Sequence, residues 1–134
     1  MIASQTADAS KTSALLPGDD QAALRAFFEI AESWNLTTDE QLKLLGSPPR
    51  SSFFKLKKDG GQLSRDQLER ISHIINIYKC LRILFTDQEM ADKWVGQPNK
   101  APFLQGRSAL EFMVHDGYLS DIFQVRRYLD AQRG

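Results

Sequence analysis

Apolar positions recur at helical spacing along almost the whole chain, and strand-like alternation is absent. In "DQAALRAFFEIAESW", Ala23, Phe27, Ile30, Ala31 and Trp34 fall on one face of a helix entered through Asp19 and Asp20. "TTDEQLKLLG" opens with Thr37 and Glu40 at capping-box spacing and closes on Gly46. "SPPRSSFFKLKKDGG" predicts a short helix capped by Ser47, with proline in its first turn and Gly60-Gly61 as its stop. The same capping spacing returns at Ser64 and Gln67, at Thr86 and Glu89, and at Ser108 and Glu111. Gly117 ends the helix that Ser108 starts. "YLSDIFQVRRYLDAQRG" then carries Leu119, Ile122, Phe123, Val125, Arg126 and Leu129 to the terminus. The pattern predicts an all-α fold.

The helix that begins after Ser64 changes character along its length. Leu68, Ile71 and Ile75 mark an amphipathic first half, whereas nearly every position from Ile74 to Phe85 is apolar. A helix that is apolar all round must be covered all round. It is therefore expected to be shared between two subdomains, to pack on a second copy, or both. The chain divides on this reading into a disordered tail over 1–18, a helical unit over 19–85 and a second helical unit over 86–134. Residues 94–112, "WVGQPNKAPFLQGRSALEF", combine loop-forming proline and glycine with core-type Trp94, Val95, Phe103 and Leu104. Trp94 and Phe103 are expected to pin this segment onto Leu110, Phe112 and the end of the long helix, each burial contributing roughly 1.5–3 kcal/mol. The alternative is that either ring stands exposed as a contact hot spot.

Composition narrows the function classes. The chain has 134 residues, 42% hydrophobic and 25% charged, which is ordinary for one domain or two very small ones. No stretch approaches the roughly eighteen apolar residues of a membrane helix. "MIASQTADASKTSALLPGDD" lacks the basic-then-apolar order of a secretory signal. Cys80 is the sole cysteine, so no internal disulfide can form, which fits a reducing, cytoplasmic setting. Within its apolar run it reads as a small buried hydrophobe rather than a reactive thiol. His73 and His115 have no companions at metal-ligand spacing, and no catalytic set or phosphate loop is present. Neither enzymatic activity nor a metal or cofactor is expected.

Charge adds a sharper hint. The formal net charge is zero, yet residues 41–58 contain no acid and hold Lys43, Arg50, Lys55, Lys57 and Lys58. A local basic block suggests a nucleic-acid face. The block reads helix, tight turn, short helix. At about 100° per residue, Phe53 and Leu56 face inward, while Ser51, Phe54, Lys55 and Lys58 face out with Arg50 and Lys57 at the flanks. Arg50, Ser51, Ser52, Lys55, Lys57 and Lys58 are thus the candidate DNA contacts, the small polar residues and arginine for base edges and the lysines for phosphates. Phe54 either touches a thymine methyl or bends back into the core. The plainer reading is a solvated helix end whose Lys57 and Lys58 complement the helix dipole.

The second half of the chain adds a resemblance. "ADKWVGQPNKAPFLQGRSALEFM" followed by "YLSDIFQVRRYLDAQRG" resembles the toxin-binding domain of Xre/MbcA/ParS-type antitoxins. The resemblance rests on Trp94, Pro98, Asn99, Phe103, Gly106, Ser108, Leu110, Gly117, Val125, Leu129 and Gly134. Ala109 stands where the family usually has proline. Upstream, "GSPPRSSFFKLKKDGGQLSRDQLERISHII" is similar to the family's Xre-like helix-turn-helix. The resemblance implies a helix-turn-helix bundle joined by a long shared helix to a small helical toxin-binding domain. It implies an antitoxin whose cognate partner is a RES-domain toxin, a family that degrades NAD. It further implies a homodimer that binds an inverted-repeat operator and represses its own operon. The final helix and tail would then cover the toxin's active site, with Arg126, Arg127, Tyr128, Gln132, Arg133 and Gly134 as candidate contacts. The competing readings are a solvated, fraying helix end on a plain DNA-binding regulator whose C-terminal half only oligomerises, or a scaffold without DNA binding.

Overall fold

The computed structural model describes residues 19–134, so the expected disordered tail over 1–18 lies outside the described residues. The described chain is all helical: α1 (Asp20–Ser33), α2 (Thr38–Leu44), α3 (Arg50–Asp59), α4 (Arg65–Leu84), α5 (Gln88–Trp94), a 3-10 turn (Pro102–Leu104), α6 (Ala109–His115) and α7 (Leu119–Arg133). Complete capping boxes start α2 at Thr37, α4 at Ser64 and α6 at Ser108.

Two helix starts differ from the sequence expectation. Ser47 does not cap α3. It takes a left-handed φ of 58° directly after Gly46 at 87°, and its N–H donates to the Leu42 carbonyl at 2.8 Å. Ser47 therefore finishes α2 rather than starting α3. Pro48 and Pro49 follow, and a residue before proline is disfavoured in the helical region. That rule bears on Ser47 and Pro48; Pro49 is the extended N-cap, at ψ 143°, and α3 begins after both prolines. At α5 the cap is Asp87, which accepts from the Glu89 N–H at 2.9 Å, and not Thr86. A carboxylate next to the helix N-terminus adds charge to the hydrogen bond, which the Thr86 hydroxyl cannot match.

α4 is the axis of the fold. It packs most extensively on α7, then on α1 and α5. Ile71, Ile74, Ile77, Cys80 and Leu81 of α4 are buried in a single cluster with Phe27 and Ile30 of α1 and Ile122, Val125 and Leu129 of α7. The cover is incomplete at the end of α4, where Ile83 is 58% exposed and Leu84 36%. α3 is held to α1 through Phe53, fully buried, whose ring meets Phe28 edge-on at 5.8 Å.

The segment after α5 is irregular but packed. Pro98 and Ser108 form an isolated antiparallel bridge, and Leu110 N–H donates to Val95 O at 2.8 Å. Asn99 turns its side-chain oxygen back to the Ala101 N–H at 2.9 Å. Phe103 is half-buried between Phe112, edge-on at 5.2 Å, and Tyr128 at 5.5 Å. Trp94 and Leu110 are likewise partly buried against the core, and Gly106 turns with φ +83° ahead of the Ser108 cap.

A buried arginine ties the two halves together. Arg70 of α4 donates from Nη1 to the Gly117 carbonyl at 2.8 Å and from Nε to Asp66 at 2.8 Å. The same Nη1 lies 3.4 Å from the Lys43 and Leu44 carbonyls at the end of α2. Gly117 is buried with φ +73°, and a Cβ there would stand 3.3 Å from the Lys43 carbonyl. The α6–α7 junction thus sits directly on the end of α2.

Arg70→Met should keep the volume but leave the Gly117 carbonyl buried without a donor, at a cost of roughly 1–3 kcal/mol. Urea denaturation followed by circular dichroism measures this. A wild-type midpoint for the variant would remove the clamp's importance.

Candidate nucleic-acid interface and C-terminal face

The turn just described sets where α3 starts, and Phe53 sets which way it faces. With Phe53 at 0% exposure and Leu56 half-buried, Arg50, Ser51, Ser52, Lys55, Lys57 and Lys58 are all exposed. Phe54 is 47% exposed and rests edge-on against Phe53 at 5.2 Å, so it belongs to the outer surface. Two of the six candidates have protein partners. Lys57 Nζ lies 5.8 Å from the Phe28 ring centroid, turned toward α1. Arg50 forms an ion pair with Asp39 of α2. Asp39 was not among the sequence candidates. It lies just ahead of the acid-free run and reads there only as an acid in the first turn of a helix.

At the C-terminal face the candidate residues separate into two groups. Ile122, Val125 and Leu129 are buried, and Arg126 and Tyr128 are partly drawn in with them. Arg126 Nη1 meets His73 Nδ1 of α4 at 3.0 Å, and its Nε lies 3.6 Å from Asp130. Tyr128 packs on Phe103. Arg127, Gln132, Arg133 and Gly134 are exposed. The Arg127 guanidinium stands 5.8 Å over the Phe123 ring, which is itself 43% exposed. Arg133 Nη1 reaches back to Cys80 Sγ at 3.7 Å.

Two groups beneath α7, His73 and Cys80, are shifted toward their neutral forms. Burial, reinforced by the positive charge of Arg126, lowers the pKa of His73 from its ordinary 6.5, while Glu69 opposes weakly. A neutral imidazole can accept the Arg126 N–H at Nδ1. Burial, together with the hydrogen bond to Asp130 at 3.2 Å, raises the pKa of Cys80, so the thiol stays protonated. Among the described residues no group of three or more His, Cys, Asp or Glu could hold a metal ion. No described helix is long and apolar enough to cross a membrane.

Comparison with known proteins gives two consecutive matches. Residues 18–76 match the antitoxin Xre-like helix-turn-helix domain, and residues 80–134 match the antitoxin Xre/MbcA/ParS C-terminal toxin-binding domain. The boundary between them falls within α4, the helix both halves share. An uncharacterized protein, y4oB, of Sinorhizobium fredii (strain NBRC 101917 / NGR234) is 58% identical over 113 residues, covering 84% of this chain and 85% of that protein.

The His73 shift has a definite sign. The unfolded chain takes up a proton near pH 6.5, whereas the folded chain resists it until lower pH. The neutral-imidazole contribution is therefore complete above pH 6.5 and is lost as pH falls toward the depressed folded value. Urea midpoints measured at pH 7.5 and 5.5 should fall for the wild type and change less for His73→Gln. Equal drops for both proteins would refute the assignment.

Proposed function

The chain belongs to the family of Xre-type antitoxins, and we propose that it neutralises a RES-domain, NAD-degrading toxin and represses its own operon. What carries this reading is the order of the two matched segments along one continuous core, with α3 exposed at one end and the tail of α7 at the other.

α3 enters the major groove. Arg50, Ser51 and Ser52 reach base edges, while Lys55 and Lys58 neutralise phosphates. The exposed ring of Phe54 is placed to touch a thymine methyl. A homodimer presents two such helices to an inverted repeat, with half-sites about one helical turn apart. Dimerisation also supplies the cover that Ile83 and Leu84 lack within one chain.

At the other end, Arg127, Gln132, Arg133 and the Gly134 carboxylate enter the toxin's NAD cleft. Their planar donors pair with polar and acidic groups there and block it sterically. Arg126 and Tyr128 act mainly from behind, fixing the direction of α7 through His73 and Phe103.

Two measurements test the two ends separately. Lys55→Gln with Lys58→Gln should reduce the slope of log affinity against log salt by about 0.9 per lost contact in each protomer. An unchanged slope would take both lysines out of the interface. For the toxin, truncation before Arg126 is a poor probe, because it also removes Leu129 from the core. Arg127→Glu with Arg133→Glu keeps the core intact. It should abolish rescue of cells that express the adjacent toxin gene while leaving DNA binding unchanged. Full rescue by this variant would favour a regulator whose C-terminal half only oligomerises.

A further inference from the structure

The helix-turn-helix has a feature that a simple basic face does not need. Asp39, in the first turn of α2, reaches across the turn to Arg50, the first residue of α3, through Oδ1 and Nη2. Both side chains are open to water, 59% exposed for Arg50 and 79% for Asp39, so the pair adds little to stability. It does fix a direction. Arg50 is the only arginine among residues 41–58. A guanidinium is a planar fork of five N–H donors that can read a guanine edge with two parallel bonds. Holding Nη2 on Asp39 leaves the remaining donors available and restrains the plane in which they lie.

The surroundings leave this task to Asp39. Glu40, the neighbouring acid, is committed to capping. Its side chain accepts from the Thr37 N–H at 2.9 Å, and its own N–H donates to the Thr37 hydroxyl at 3.1 Å. The turn that separates the two helices is stiff. Gly46 and Ser47 are both left-handed, and Pro48 and Pro49 follow with ring-fixed φ. The start of α3 is thereby held at a set distance from the first turn of α2.

We infer that Asp39 is a specificity-determining residue of the DNA interface, acting through Arg50. The inference rests on the reading of α3 as the helix that enters the major groove. Asp39 does two things. It pre-orients the Arg50 fork, so that less rotational freedom is lost when the correct base is met. It also neutralises Arg50 when no such base is present, so that the guanidinium is not free for stray phosphates. Asp39 therefore governs the difference between operator and random DNA, not affinity in general.

The test uses the full chain and needs no prior operator. Selection from a random duplex library defines the preferred site. Anisotropy titrations then compare that site with a scrambled duplex at several salt concentrations for wild type, Asp39→Asn, Arg50→Ala and the double variant. Asp39→Asn should bind the scrambled duplex more tightly, with a salt slope steeper by up to about 0.9 per protomer as Arg50 becomes free for phosphate. Its operator-to-scrambled ratio should fall about tenfold, within the discrimination carried by one bidentate base contact. Repeating the selection should relax the same base position in Asp39→Asn and in Arg50→Ala. In the Arg50→Ala background, Asp39→Asn should change nothing further. An unchanged ratio, or an equal effect with Arg50 absent, overturns the inference and leaves the DNA reading standing. Failure of the wild type to enrich any site, with no salt-dependent binding, overturns the reading of α3 and the inference with it.

Discussion

A charged side chain inside a small helical protein is costly unless its donors find acceptors, and Arg70 finds them in the Asp66 carboxylate and in backbone from two other places in the chain. Its guanidinium bonds Gly117 at the entrance to α7 and lies against the carbonyls of Leu44 and of Lys43, which also accepts from the Gly46 N–H, at the end of α2. The last carbonyls of a helix carry partial negative charge, which suits a cation. One side chain thus reaches backbone of the helix-turn-helix and of the C-terminal half at once. Gly117 is shaped for the same contact. Its left-handed φ and missing side chain let the α6–α7 junction approach the end of α2. The start of α7 is therefore set relative to the helix that leads into α3, and the two outer faces keep a fixed relation.

α4 accomplishes the rest of this joining by a change in burial along its length. From Ile71 to Leu81 its apolar residues meet α1 on one side and α7 on another, and the core they share is continuous. At Ile83 the cover stops. α7 in turn is held by more than apolar contact. Arg126 finds a neutral acceptor in His73, and the outer side and tail of the helix remain exposed. Burial has made His73 a better partner for a cation by keeping it uncharged.

Legibility in the sequence followed sequence distance. The caps at Thr37, Ser64 and Ser108 depend on residues three apart, and the core faces of α1 and α7 on helical periodicity, so a local reading finds them. Ser47 and Thr86 had the right residue types but lost to stronger neighbours: a left-handed turn completing α2, and the carboxylate of Asp87. The Arg70–Gly117 and Arg126–His73 contacts join residues 47 and 53 apart, and no local pattern announces them. Asp39 and Arg50 are only 11 apart, yet they lie on opposite sides of a turn whose geometry the sequence leaves open. The basic face of α3 was legible from charge alone. The role proposed for α7 was not, because a helix end rich in arginine looks the same whether it is solvated or plugs a cleft, and that proposal rests on the resemblance.

The two exposed faces differ in a way that bears on their partners. The outer side of α3 carries lysines and serines beside Arg50 and Phe54. An ammonium is a compact, strongly hydrated charge that neutralises phosphates with little demand on orientation. α7 carries no lysine and sets arginine against an aromatic ring: Arg127 over Phe123, with Tyr118 60% exposed one residue before the helix. Arginine and aromatic residues are enriched, and lysine depleted, in the cores of protein–protein interfaces, because a planar cation stacked on a ring gives up less hydration on burial. A nucleic-acid surface can remain wet and salt-dependent, whereas a surface that must close over another protein's cleft has to tolerate losing its water. That difference in chemistry accords with the proposal of DNA at α3 and a protein at α7.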